Sequence, residues 1–511
     1  MYPGAYVAST PDKPAVAMAD DGEVLTYSQL EERSIRLANA FRAAGLRRGD
    51  VVALLSENSP RYFEVLWAAL RSGLYLTAVN WHLAAPEVEY ILRDCGAAAL
   101  VVTESLRHLV DATEGELRAL KLQVVIGASG NYEKTLADAS PEAPADQPRG
   151  ADMLYSSGTT GRPKGVKPVL PDRQVGDTGD PQVSLFGPLY GVDQDTVYLS
   201  PAPLYHAAPL RFGMVTTSLG GTVVVMPRFD AEAAIREIAR ARVTHSQWVP
   251  THFVRMLRLP VAVRGGYDLS SHKVAIHAAA PISVAIKRQM IDWWGPILEE
   301  YYSSTEGVGA TQIGTADWLA HPGSVGLPIK GIPHICDDEG NELPTDATGL
   351  IYFEREKLTF QYHNDPDKTR NAQHPQHENW TTTGDVGHLD ADGYLYLSDR
   401  KSFTIISGGV NIYPQEIEDV LLQHPAVLDV GVIGVPDAEF GESVVAVVQL
   451  MPHASADDET RRLITYFARE RLAGFKVPRR IEFSDELPRT PTGKLVKRRL
   501  LERYGSPAER R

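Results

Sequence analysis

The string Tyr155 to Val166, YSSGTTGRPKGV, carries the strongest chemical signal in the chain. Ser156, Ser157, Gly158, Thr159, Thr160 and Gly161 follow a short strand signal at Asp152 to Tyr155 and supply hydroxyls and unhindered backbone N–H groups. A loop of that composition can wrap phosphate oxygens, and Lys164 adds a mobile positive charge. It is not the Walker spacing, because Pro163 precedes the lysine and Gly165 follows it. Five more segments could do chemistry: Tyr301 to Gly307 (YYSSTEG), Thr382 to Asp385 (TTGD), Tyr396 to Lys401 (YLSDRK), Ser407 to Glu418 (SGGVNIYPQEIE) and Pro488 to Lys494 (PRTPTGK). Each has a plain structural reading beside the functional one. Glu306 could cap a helix, Asp385 could be a turn residue, and Lys494 begins a basic tail with Lys497, Arg498 and Arg499.

The elements that must position these segments are legible from periodicity. Thr26 or Ser28 can cap a helix with Leu30, Ile35, Leu37, Ala38 and Phe41 on one stripe, stopped by Gly45. Strand signals at Val51 to Leu55, Leu74 to Val79 and Ala98 to Thr103 alternate with helical ones, as they do again from Gly221 to Val249. That alternation predicts βαβ units and mainly parallel sheets covered on both faces. Residues 130–150 read as a surface connection and 167–194, rich in Pro, Gly and Asp, as an exposed loop. After Gly384 the strands become short and turn-rich, and the chain ends in a compact α+β segment of its own.

The chain has 511 residues, with 51 basic and 65 acidic side chains and a net charge of -14, which disfavours binding to nucleic acid or an anionic membrane surface. Two cysteines, Cys95 and Cys336, make no disulfide framework, and no zinc spacing occurs. No secretory signal and no apolar run of spanning length is present, so a cytoplasmic location is expected.

In this order and at these intervals the six segments closely resemble the adenylate-forming superfamily, in its acyl- and aryl-CoA synthetase branch. The resemblance implies an α/β fold: a large N-terminal domain, 1–399, with two αβ sheets and a β-barrel, and a small mobile α+β C-terminal domain, 400–511. It implies that Ser156 to Gly161 and Lys164 hold the β- and γ-phosphates of ATP, and that Glu306, after Thr305, binds Mg²⁺. Tyr302 would stack near the adenine beside a wall of Ala278, Ala279 and Ala280. Asp385 would accept the ribose hydroxyls, with Arg400 assisting. Lys494 would bridge the incoming carboxylate and the α-phosphate. Gly408 and Gly409 would let a pantetheine arm pass, on a face organised by Asn411, Tyr413 and Glu416.

The reaction implied is activation of a carboxylic acid as acyl-AMP, then transfer to the thiol of coenzyme A, by a monomer or homodimer. One departure stands at the hinge, where Ser402-Phe403 replace the Lys-Asp common after this Asp-Arg. That departure keeps a second reading open, a diazotase that adenylates nitrite to diazotise an aromatic amine in natural-product biosynthesis. The acid pocket is expected around His206, Trp248, His277 and Ser303. No carboxylate stands where an α-ammonium would need one, so amino acids are disfavoured. An aryl, cinnamate-like, medium-chain or sterol-side-chain acid is expected.

Overall fold

The computed structural model describes residues 1–20, 22–111, 117, 120–156, 163–408, 410–437, 439–490 and 495–505. The first helix, Tyr27–Ala43, is capped by Thr26, whose hydroxyl accepts from the Gln29 N–H while Gln29 answers with its side chain. Its apolar stripe packs on the helix Arg61–Leu70, in one core with a five-stranded, all-parallel sheet. The order there is Leu122–Ile126, Ala97–Thr103, Val51–Leu55, Tyr75–Ala78 and Ala151–Asp152. Val51–Leu55 is buried along its whole length, as a strand covered on both faces must be.

A second, larger sheet runs through Thr222–Val225, Val197–Ser200, His245–Trp248, Val274–His277 and Leu298–Ser303 as parallel neighbours. It then turns antiparallel at Ala310–Gly314 and Ser324–Lys330 and continues into Leu395–Arg400, Asp385–Leu389, Gly349–Glu354 and Ile332–Cys336. This antiparallel run stands where the barrel is expected. Val308, Val325, Ile335, Ile351, Phe353 and Leu395 pack inside it. A three-stranded ribbon of Leu154–Ser156, Lys164–Pro168 and Phe360–Tyr362 joins the same core through Val166, Phe360 and Tyr362.

A separate five-stranded sheet holds Ile405–Ser407, Val410–Ile412, Val427–Asp437, Gly441–Leu450 and Arg480–Phe483. Its core, with Val432, Ala446 and Val448, packs under the helices Pro414–Leu421 and Asp458–Arg469.

One expectation fails. Residues 167–194 are not an exposed loop throughout, because Pro181–Tyr190 is a helix with Val183 and Tyr190 buried. Asp180 caps it, Pro181 takes the first position, and Gly191 closes it at φ +65. Asp180 also holds the buried Arg149 at 2.9 Å, which fixes the helix to the first sheet.

Candidate nucleotide and acid site

The strand Leu298–Ser303 organises the site by its period of two. Tyr302 points to one face, where its hydroxyl donates to Asp385 Oδ2 at 2.7 Å. Thr383 donates to the same oxygen at 2.8 Å, and Arg400 Nε donates to Oδ1 at 3.0 Å. Asp385 and Arg400 are cross-strand partners, so the sheet itself sets the ion pair. Burial, then the Asp385 carboxylate, pushes the Tyr302 phenol well above its ordinary value. Burial works against the Arg400 charge, yet Asp385, Tyr302 and Glu306 together hold its pKa above the usual value. Asp385 thus engages three of its roughly four lone-pair sites, and a ribose diol would exchange with the hydroxyls of Tyr302 and Thr383.

Ala278 to Ala280, Tyr302, Ser303, Asp385 and Arg400 line one cleft of about 520 Å³. Ala279 holds φ +75, a left-handed conformation that a non-glycine residue adopts at a cost and that is met most often at functional sites. The C-terminal unit closes the cleft's other side with Phe403, Gln415, Asp419, Arg489 and Lys497.

Beside this cleft the ribbon presents the phosphate-side residues. Ser156 pairs with Lys164 across the antiparallel strands of that ribbon. Lys164 bonds Asp365 Oδ2 at 2.8 Å. Tyr362, on the adjoining strand, donates to Glu306 Oε1 at 2.9 Å, and the Lys368 ammonium lies 4.7 Å over the Tyr362 ring. Burial, then the field of Lys164, lowers the Lys368 pKa. Ser157, Gly158, Thr159, Thr160, Gly161, Gly409 and Lys494 lie outside the described residues. Sequence reasoning misses Tyr362, Asp365 and Lys368. Their only signal is three polar or aromatic residues in a short stretch after a strand.

The other face of Leu298–Ser303 carries an aromatic layer. Tyr301 packs there with tilted rings against Phe186 and Phe212, at 5.8 and 5.9 Å between ring centroids, and Tyr190 and Tyr198 complete the aromatic layer. His206 precedes the helix Ala207–Ser218 and packs on Tyr205 at 4.4 Å. Arg211, one turn into that helix, is bound to Asp152 through Nε and Nη2 at 3.1 and 2.7 Å. Ser303 donates to the Gly309 carbonyl at 2.8 Å.

Trp248 and His277 are not brought to this face. Both are fully buried on the opposite side of the sheet, against Phe253, and Trp294 lies 5.5 Å from Trp248. Burial, then Lys287, holds His277 well below its ordinary pKa, so it is neutral. Next to it Lys287 bonds Glu300 at 2.5 Å; burial lowers the one and raises the other. The physical reason is parity: Gln247 and Ile276, one position earlier on each strand, take the face of Tyr301. Trp248→Ala is therefore expected to cost about 3–5 kcal/mol in stability while leaving the order of preferred acids unchanged. Chemical denaturation and an acid panel check both.

The hinge also differs from its sequence reading. Ser402 and Phe403 offer no charge, but Lys497 reaches in from the last helix. Its ammonium lies 3.1 Å from Glu418, 3.8 Å from Asp399 and 5.3 Å from the Phe403 ring centroid. Asp399 further accepts from the Gln415 and Arg400 N–H groups. Burial, with Glu418 and Asp399 nearby, pushes the Asp419 carboxyl up to about 7. Gly408 holds φ +59 directly after Ser407, a backbone that suits glycine, and Ser407 pairs with Val410. Glu416 is paired with Lys476 at 2.6 Å, and Tyr413 precedes the helix Pro414–Leu421.

Comparison with known proteins agrees with this geometry. The family described as AMP-binding enzyme matches residues 5–363, and the AMP-binding enzyme C-terminal domain matches residues 416–494. The chain is 33% identical over 522 residues to fatty acid–[acyl-carrier-protein] ligase ScoC of Streptomyces coeruleorubidus, covering 98% of this chain and 95% of that protein. It is 34% identical over 500 residues to a feruloyl-CoA synthase of an Amycolatopsis species, covering 96% of each. A solved structure of the anthranilate CoA ligase AuaEII in complex with anthranoyl-AMP superposes with a TM-score of 0.84 at 27% identity, covering 98% of this chain and 96% of that one. With both units matched and the fold shared end to end, the chain belongs to the AMP-binding enzyme family, in the acyl/aryl-CoA synthetase branch of the adenylate-forming superfamily.

Proposed function

We propose that this enzyme activates a carboxylic acid with ATP as an acyl-adenylate, releases pyrophosphate, and transfers the acyl group to the thiol of coenzyme A or a carrier protein. The observation that carries the reading is the meeting of Ala278 to Ala280, Tyr302, Asp385 and Arg400 in one cleft, with Lys164 on the ribbon and Glu306 held by the ribbon's Tyr362.

In the first half-reaction a carboxylate oxygen attacks the α-phosphorus in line, the bond to the bridging oxygen breaks, and pyrophosphate leaves. Asp385 holds the ribose, Ala278 to Ala280 flank the base, and the Ser156 to Gly161 loop with Lys164 holds the β- and γ-phosphates. For that Lys164 exchanges Asp365 for phosphate. Lys494 bridges carboxylate and α-phosphate, so its charge acts where charge develops. Glu306 fits Mg²⁺: Tyr362 engages one of its oxygens, the other has no partner among the described residues, and this ion is usually held by one or two carboxylates together with phosphates and water. When bound, the metal would neutralise charge on the leaving pyrophosphate.

In the second half-reaction the C-terminal unit, 400–511, turns against the N-terminal unit, 1–399. It withdraws Lys494 and presents Gly408-Gly409 to the pantetheine arm. The thiol adds to the acyl carbon and AMP leaves. Lys497 supplies the hinge charge that Ser402 and Phe403 lack. Tyr301, which lines the cleft, offers a flat ring that favours a flat acid, aryl or cinnamate-like, over a long alkyl chain.

Incubation with ATP, coenzyme A and a panel of aryl, medium-chain and sterol-side-chain acids, followed by mass analysis, tests this. Acyl-CoA and AMP are expected. Diazonium products from ATP, nitrite and an aminoaryl acid, with no thioester from any acid, would instead select the diazotase reading. Gly409→Leu is expected to spare pyrophosphate release and lower thioester yield at least about tenfold by blocking the arm. An unchanged yield removes the role given to that turn.

A further inference from the structure

Two arginines from different units of the chain converge on the start of one strand. Arg258 stands at the C-terminal end of the helix Pro250–Leu257, in the N-terminal unit. Its Nη2 donates across the boundary to the Leu428 carbonyl, in the C-terminal unit, at 2.7 Å. The strand Val427–Asp437 begins there with a β-bulge: Val427 pairs with Leu450 and Asp429 with Gln449, so Leu428 is the extra residue. A bulge interrupts the ladder and re-aims the backbone, here toward Arg258. From the other side Arg489 grips the Asp429 carboxylate with a fork, Nε to Oδ2 and Nη2 to Oδ1, both at 2.6 Å. Asp429 also accepts from the Val430 N–H at 2.9 Å. Arg258 is exposed as a residue, yet loss of hydration at its guanidinium lowers its pKa, and the Asp429 carboxylate opposes that.

The second arginine belongs to the PRTPTGK motif. Arg489 pairs with Leu495, and the Val496 N–H donates to the Pro488 carbonyl at 2.8 Å. The start of that motif is thereby joined to the two residues that follow Lys494. Arg258, Leu428, Asp429, Arg489 and Leu495 all line the cleft that Tyr302, Asp385 and Arg400 line. A continuous set of contacts thus runs along the cleft wall, from a helix of the N-terminal unit to the sequence neighbour of Lys494.

We propose that Arg258 is a positioning residue for the first half-reaction: by holding Leu428 and Asp429 it seats the Arg489–Leu495 pair, and with it Lys494, at the cleft, and it lets go when the C-terminal unit turns. The proposal rests on the acid-activating reading above and adds the contact that holds its first orientation. Arg258 touches no reacting atom and acts through the C-terminal unit's backbone. One charge-assisted hydrogen bond at an exposed boundary is strong enough to bias two orientations and weak enough to break in every turnover.

Spin labels on Leu319→Cys and Tyr466→Cys, one exposed position in each unit, report the orientation without any substrate; Cys95 and Cys336 are buried. The native pair is expected to show one dominant distance. Arg258→Met should move at least half of that population to other distances, and Arg258→Lys should keep most of it. An unchanged distribution in Arg258→Met overturns the proposal. Kinetics on the same variant, with the acids of the panel above, supply the second readout. The kcat for pyrophosphate release should fall about tenfold with the KM for ATP within twofold of native, while transfer of a supplied acyl-adenylate to coenzyme A is undiminished. Asp429→Asn, which loosens the Arg489 fork, should give the same split. Equal loss in both half-reactions, or a change confined to the KM for ATP, overturns the positioning role. No pyrophosphate release with any acid overturns the adenylation reading, while the label distances still decide whether Arg258 holds the unit.

Discussion

Lys494→Ala is expected to lower acid-dependent pyrophosphate release by about 10²–10³-fold, the usual loss when one group aimed at developing charge is removed. The lysine is asked to stabilise oxygens that gain charge only as the α-phosphorus is attacked, so the loss falls on kcat and not on ATP binding. Transfer of a supplied acyl-adenylate to the thiol should persist, since by then the C-terminal unit has turned and Lys494 has left. Loss of both half-reactions would contradict the role given to Lys494.

The second large effect is expected at Asp385. Its carboxylate is the shared acceptor of Tyr302, Thr383 and Arg400, and it is buried. Asp385→Ala would leave a largely enclosed guanidinium without its counter-ion and a phenol without its acceptor, a loss of about 3–5 kcal/mol in stability. It would also raise the KM for ATP by tenfold or more, because the ribose loses its acceptor. Asp385→Asn keeps the shape but not the charge. It should recover part of the stability while the KM for ATP remains high. Thermal unfolding and ATP-dependent kinetics on both variants check this. A stable alanine variant with native ATP kinetics would show that the carboxylate is only a turn residue.

The residues proposed for the nucleotide's ribose and base come together from motifs that are contiguous in the sequence and fixed by local pairing. Asp385 faces Arg400 through strand register, and Ser156 faces Lys164 across antiparallel strands. The acid side is less legible. Trp248 and His277 occupy expected positions along the chain, yet a strand sends adjacent residues to opposite faces. Their face is set by cross-strand register, Trp248 opposite His277 and His277 opposite Glu300, which the sequence does not display. The helix Pro181–Tyr190 is hidden by Gly187 and Pro188 inside it, although its cap Asp180, its leading Pro181 and its closing Gly191 are visible. The hinge charge is hidden for another reason. Lys497 is distant in sequence from Asp399 and Glu418, and only the tertiary fold joins them.

The most direct measurement supplies an acid whose carboxylate carries ¹⁸O, lets the reaction proceed with ATP and a thiol acceptor, and weighs the nucleotide and phosphate products. Attack on the α-phosphorus transfers one labelled oxygen to AMP and leaves pyrophosphate unlabelled. Label in inorganic phosphate, or unlabelled AMP beside a formed thioester, would mean that the acid is activated by another route and that the cleft has been assigned the wrong chemistry.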